Sequence, residues 1–112
     1  MPTDAELLDR TFHALADSSR REIVVRLSEG PASVSELAEP LEMSLSGVVQ
    51  HIEVLQKSGI VRSEKVGRVR TCQLEPAPMG AVEQWIAQHR QAWEGRFDRL
   101  GDVLKTTYGR NP

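Results

Sequence analysis

At 112 residues, with 39% hydrophobic and 27% charged side chains, the chain has room for one small core and the make-up of an ordinary globular domain. It has no apolar run long enough to span a membrane, no basic-then-apolar leader in its acidic start (Met1 to Glu6), and one cysteine, Cys72. These features exclude a membrane span, an internal disulfide and a thiolate zinc cluster within one chain, and they make a cytoplasmic location the expectation. The net charge of −2 is unevenly spread. Residues 44–73 carry Lys57, Arg62, Lys65, Arg68 and Arg70 against Glu53 and Glu64, whereas residues 1–43 hold nine acids and four bases. A positive middle segment in an acidic chain suits a surface that meets phosphates, although a charge run is more often just a solvated face.

In chain order, Ala5 to Ala16 has helical spacing, with Leu8, Phe12 and Leu15 at i, i+4 and i+7. Asp17-Ser18-Ser19 breaks it, and Ser19-Arg20-Arg21-Glu22 has the Ser-x-x-Glu form that opens a second helix, closed at Gly30-Pro31. That helix buries Ile23, Val24 and Leu27. A second such box, Ser33 to Glu36, opens a short third helix with Val34, Leu37, Ala38 and Leu41 inward and Pro40 near its end. Glu42-Met43 makes the turn, and Ser44 caps a fourth helix that runs to about Ser58 and is closed by Gly59. Leu45, Val48, Val49, Ile52 and Leu55 form its apolar stripe; Ser46, Gly47, Gln50, His51 and Lys57 lie opposite.

Two β-type runs, Ile60–Val66 and Val69–Leu74, flank Gly67-Arg68 as a hairpin would. Glu75 to Pro78 reads as a rigid connector. From Met79 to about Lys105 the pattern is again helical, with Val82, Ile86, His89, Trp93, Phe97, Leu100 and Leu104 in one stripe that Gly95 and Gly101 can bend or end. The expected architecture is mainly α, about five helices with a two-stranded β-hairpin, in one domain.

A short helix braced on the core, a turn, an amphipathic helix and a basic hairpin make an arrangement suited to duplex DNA. Ser44, Ser46 and Gly47 let the start of the fourth helix approach a groove floor, and the Gln50 amide matches the N6/N7 edge of adenine in the major groove. Lys65, Arg68 and Arg70 on the hairpin would meet the flanking backbone. His51 suits a structural hydrogen bond and a phosphate contact equally well. Arg20 and Arg21 can face phosphate or bind the first helix, Arg62 is a weaker phosphate candidate, and Cys72 reads first as a small buried hydrophobe and second as a redox group. The absence of a paired-carboxylate cleft, a Gly-rich phosphate loop or a Ser/His/Asp constellation speaks against an enzyme. The remaining alternative is an interaction module that binds protein instead of DNA.

The stretch from Glu36 to Leu55, followed by Ser58-Gly59-Ile60-Val61, resembles the core of the ArsR-type winged helix-turn-helix regulators. Leu15 to Ile23 is similar to that family's opening signature, with Ser18 where proline is common. Val66-Gly67-Arg68 with Gln73 to Pro76 resembles its wing, and Trp85-Ile86, Trp93-Glu94 and Asp98-Arg99-Leu100 resemble the last helix of a metal-independent branch. The resemblance implies a bacterial homodimer joined through its first and last helices, with fourth helices in successive major grooves of a near-palindromic operator, and repression as the usual outcome. Leu8, Phe12, Trp85, His89, Trp93, Phe97 and Leu100 are the expected interface residues. The family's metal-binding cysteine pair would fall at Ser33 and Ser35, whose hydroxyls are poor ligands for soft or borderline metals. On the last helix, His89 is six residues from Glu83 and five from Glu94, spacings that do not share a face. No metal and no cofactor are expected, and the sequence names no effector.

Overall fold

The computed structural model describes residues 3–107, and the chain divides after Val82 into two compact units. In the first, helix α1 (Asp4–Leu15) opens on a capping box in which Thr3 Oγ1 accepts from the Glu6 amide and Glu6 Oε2 accepts from the Thr3 amide, both at 3.1 Å. Its buried residues are Thr11 and Ala14; Leu8 is half-buried and Phe12 is 40% exposed. Of the sequence stripe Leu8–Phe12–Leu15, Leu15 packs against the core, whereas Phe12 stays outside it. Small side chains one step round the helix let α1 approach α2 closely, and Thr11 satisfies its hydroxyl on the Leu7 carbonyl at 2.8 Å.

Helix α2 (Ser18–Leu27) is capped by Asp17, whose Oδ1 accepts from the Arg20 amide at 3.1 Å. Ser19, expected as the cap, lies inside the helix. The carboxylate two residues earlier takes the orphan amide and carries the charge that the helix N-terminus favours, so it wins. Helix α3 (Val34–Leu41) has the expected capping box between Ser33 and Glu36, tolerates Pro40 in its last turn and ends at Glu42 in the left-handed region (φ 53°). Helix α4 (Leu45–Lys57) is capped by Ser44, whose Oγ accepts from the Gly47 amide at 3.1 Å, and stops at Gly59, φ 83°.

Strands β2 (Val61–Val66) and β3 (Val69–Leu74) form the hairpin in the register Val66↔Val69. Gly67 has φ 63° while Arg68 keeps a negative φ, the sign pattern of a type II′ turn, which demands glycine first. The hairpin is one part of a three-stranded sheet ordered β1-β3-β2, because Ala32–Ser33 adds a short antiparallel strand β1 beside β3. Two residues carry no readable alternation, so this strand has no sequence signal.

Helix α5 runs Pro76–Thr107. The connector expected at Glu75 to Pro78 is in fact its first turn, where amides need no partner within the helix and proline costs nothing. Gly95 and Gly101 lie within the helix without ending it. In the first unit Ile23, Leu37, Val48, Ile52, Leu55, Ile60 and Cys72 are at most 1% exposed and form the core, with Met79 packed on it. Each of these valine, leucine and isoleucine side chains contributes about 1.5–3 kcal/mol through burial. In the second unit Trp85, His89 and Trp93 form a row of rings, with centroids 4.6 Å apart for Trp85–His89 and 6.0 Å for His89–Trp93. His89 Nδ1 donates to the Trp85 carbonyl at 2.8 Å.

Candidate nucleic-acid interface

The α3–turn–α4 pair is held by its core face: Leu37 and Ala38 from α3 and Val48, Ile52 and Leu55 from α4 are all buried. This seating leaves the start of α4 outward. Ser44, Ser46 and Gln50 are exposed, the Ser44 and Ser46 hydroxyls lie 3.2 Å apart, and Gly47 is half-buried. A Cβ at Gly47 would sit 3.3 Å from both Met43 Cε and Ser44 Oγ, so glycine keeps the cap undisturbed there. Leu45, counted in the sequence stripe, is 56% exposed instead. The core ends at Val48, one turn further on, and Val49 is half-buried.

Beside this end of α4 stands the wing. Lys65 and Arg68 are exposed, and among the described residues neither side chain has an ion pair or hydrogen bond. Arg70 behaves differently. Its Nε donates to Ser63 Oγ at 3.1 Å, its Nη2 donates to Gln56 Oε1, and Gln56 Nε2 donates to the same Ser63 Oγ at 2.8 Å. The three polar side chains close a triangle that ties the hairpin to α4. Neither Gln56 nor Ser63 stands out in the sequence, since the triangle exists only once the hairpin folds back on the helix. Between the α3–α4 pair and the wing lies a groove of about 670 Å³, lined by Val34, Leu45 and Val49 from the helices and by Lys65, Arg68, Val69 and Arg70 from the wing.

His51 takes the structural hydrogen bond of its two expected readings. Arg20 Nη1 donates to His51 Nδ1 at 3.4 Å, with Asp17 Oδ1 4.0 Å from the same nitrogen. Arg20 also donates to the Ala14 carbonyl (2.6 Å) and the His13 carbonyl (3.3 Å), and Arg21 to the Leu15 carbonyl (2.8 Å). Both arginines thus bind α1, through carbonyls of its C-terminal turn and not its acidic side chains. The backbone amide of Arg20, with the Ser19 amide and the Arg20 charge beside it, holds the Asp17 carboxyl below the usual carboxylate range. Arg62 pairs with Glu75 at 3.2 Å near the base of the hairpin. Cys72 is fully buried, and burial pushes its thiol above the ordinary range, away from the reactive thiolate.

Among the described residues no cluster of His, Cys, Asp or Glu is placed to hold a metal ion, and no helix is long and apolar enough to cross a membrane. On α5, His89 Nδ1 is already engaged with the Trp85 carbonyl.

A helix–turn–helix whose second helix is exposed at its start, with a basic β-hairpin alongside, is the framework of a winged helix-turn-helix protein. Residues 15–64 match a family model described as a helix-turn-helix domain. The chain is 43% identical over 74 residues to the HTH-type transcriptional regulator Rv2034 of Mycobacterium tuberculosis (strain ATCC 25618 / H37Rv), covering 66% of this chain and 69% of that one. It is 28% identical over 102 residues to the arsenical resistance operon repressor of Escherichia coli (strain K12), covering 89% and 84%. Among solved structures it is similar to the ArsR family transcriptional regulator RHA00566, with a TM-score of 0.75, 49% identity, and 84% and 97% of the two chains covered. The chain belongs to the ArsR family of DNA-binding transcriptional regulators, which are not enzymes.

Proposed function

We propose that the protein acts in the cytoplasm as a homodimeric repressor that reads an inverted repeat, placing the two α4 helices in successive major grooves about 34 Å apart. The observation that carries this reading is the exposed, small-residue start of α4 standing beside Lys65 and Arg68, two cations with no partner among the described residues. Ser44, Ser46 and Gly47 allow close approach, Gln50 reads a base edge, and Lys65 and Arg68 meet phosphates. His51 and Arg70 serve mainly by fixing α4 and the wing through the bonds to Arg20, Gln56 and Ser63.

The dimer contacts are assigned to two surfaces, each outward-facing on its own unit. On α1 they are Leu8 and Phe12; on α5 they are Trp85, His89, Trp93, Phe97 and Leu100. Phe97 and Leu100 are 66% and 53% exposed, and apolar surface of this extent favours a protein partner. The E. coli relative is a repressor by name, which supports the direction of control.

Selection of bound fragments from a genomic pool, followed by gel shifts across a salt series, tests the reading. A selected duplex containing an inverted repeat is the expected result; no salt-sensitive affinity for any duplex overturns it. On the selected site, Gln50→Ala costs about 1–3 kcal/mol at one half-site position, whereas Arg68→Ala weakens all sequences alike and lowers the salt slope by about 1 for each phosphate it neutralises.

A further inference from the structure

Leu45 is the one large apolar side chain at the exposed start of α4, with Ser44, Ser46 and Gly47 around it. Folding does not account for it. The stripe mates Val48, Ile52 and Leu55 are fully buried, Leu45 is 56% exposed, and the helix cap is supplied by Ser44. Its side chain lines the 670 Å³ groove together with Val49 and Val34, and the wing supplies Lys65, Arg68, Val69 and Arg70. An occupant suited to this lining brings an apolar group for Leu45 and negative charge for Lys65 and Arg68. A DNA strand brings both, because the C5-methyl of thymine is the apolar group exposed on base edges in the major groove and phosphates line its rim.

We infer that Leu45 reads the C5-methyl group of a thymine in each operator half-site and so sets part of the sequence preference. The inference rests on the placement of α4 in the major groove proposed above. Leu45 and Gln50 are separated by five residues, about 7.5 Å of helix rise. The two side chains also lie about 140° apart round the helix axis, so they read different base pairs of the half-site.

The experiment replaces the thymines of a selected half-site one at a time with deoxyuridine, which removes only the methyl. Affinity is measured for the wild-type protein and for Leu45→Ala by fluorescence anisotropy. Leu45 is exposed, so Leu45→Ala keeps the fold, and its circular dichroism spectrum checks this. One deoxyuridine is expected to weaken the wild-type complex about fourfold, the worth of one methyl transferred from water, and to leave Leu45→Ala unchanged. Wild-type indifference to every replacement overturns the inference while leaving the DNA-binding reading intact. So does a full penalty retained by Leu45→Ala, which assigns the methyl to another side chain. Failure of every duplex to bind removes both readings.

Discussion

Val48, Ile52 and Leu55 on α4 are completely buried, while Phe97, Leu100 and Leu104 on α5, with the same three- and four-residue spacings, are 66%, 53% and 45% exposed. Helical periodicity states that a face needs covering and is silent on what covers it. On α4 the cover comes from the same chain, where α2, α3 and the sheet converge on one core. On α5 the stripe continues through Val103, also 56% exposed, with Gly95 and Gly101 along the way. Leaving such a stripe in water forgoes about 25 cal/mol for each Å² of apolar surface, which is the physical case for a second copy as its partner.

The two stripes should respond differently to substitution. Ile52→Ala opens a cavity in a packed core and is expected to lower folding stability by about 2–5 kcal/mol, read by urea denaturation, at any protein concentration. Paired substitutions Phe97→Asp and Leu100→Asp should leave the first unit folded and instead yield monomers in sedimentation. Affinity for a two-half-site operator would then fall by roughly two orders of magnitude, as the second half-site stops contributing through effective concentration. An intact dimer in that variant would move the interface elsewhere.

A smaller effect sharpens the contrast within the DNA-reading unit itself. Gln56→Leu breaks the triangle with Ser63 and Arg70 without touching the exposed face of α4, so affinity is expected to drop by about 1 kcal/mol with an unchanged salt slope. A lower slope after Arg70→Gln, but not after Gln56→Leu, would show that Arg70 meets phosphate directly. The least effect concerns acid. Asp17 titrates below its unfolded value in the folded protein, so the unfolded chain takes up the proton first as pH falls. Its contribution is fully present above about pH 4 and is lost as pH drops through the folded value. Asp17→Asn, which can still cap α2, should flatten the acid limb of the stability curve and leave neutral pH nearly unchanged.

Much of this was legible in the residues. The Ser33–Glu36 box, the Ser44 cap, the Gly67 turn and the stripe from Val48 to Leu55 are local signals, and each marks its element within a residue or so. What escaped depended on distance along the chain. Strand β1 exists because Ala32 and Ser33 lie against Cys72 and Thr71, some forty residues away. Thr11 and Ala14 displaced Leu8 and Phe12 from the buried face of α1 because closeness to α2 mattered more than bulk. The distinction between Arg68, without a partner among the described residues, and Arg70, tied to α4, is invisible in two arginines of one basic run.

Spacing, caps and turn residues alone determined the order of the five helices and the hairpin, the family resemblance and the end of α4 that faces outward, because those features are set by interactions within a few residues. Tertiary structure alone decided which arginines stay available for phosphate, that Leu45 stands clear of the core, and that Gln56 and Ser63 hold the wing. Those outcomes follow from the meeting of segments remote in sequence, where burial and hydrogen bonding are settled by three-dimensional neighbours.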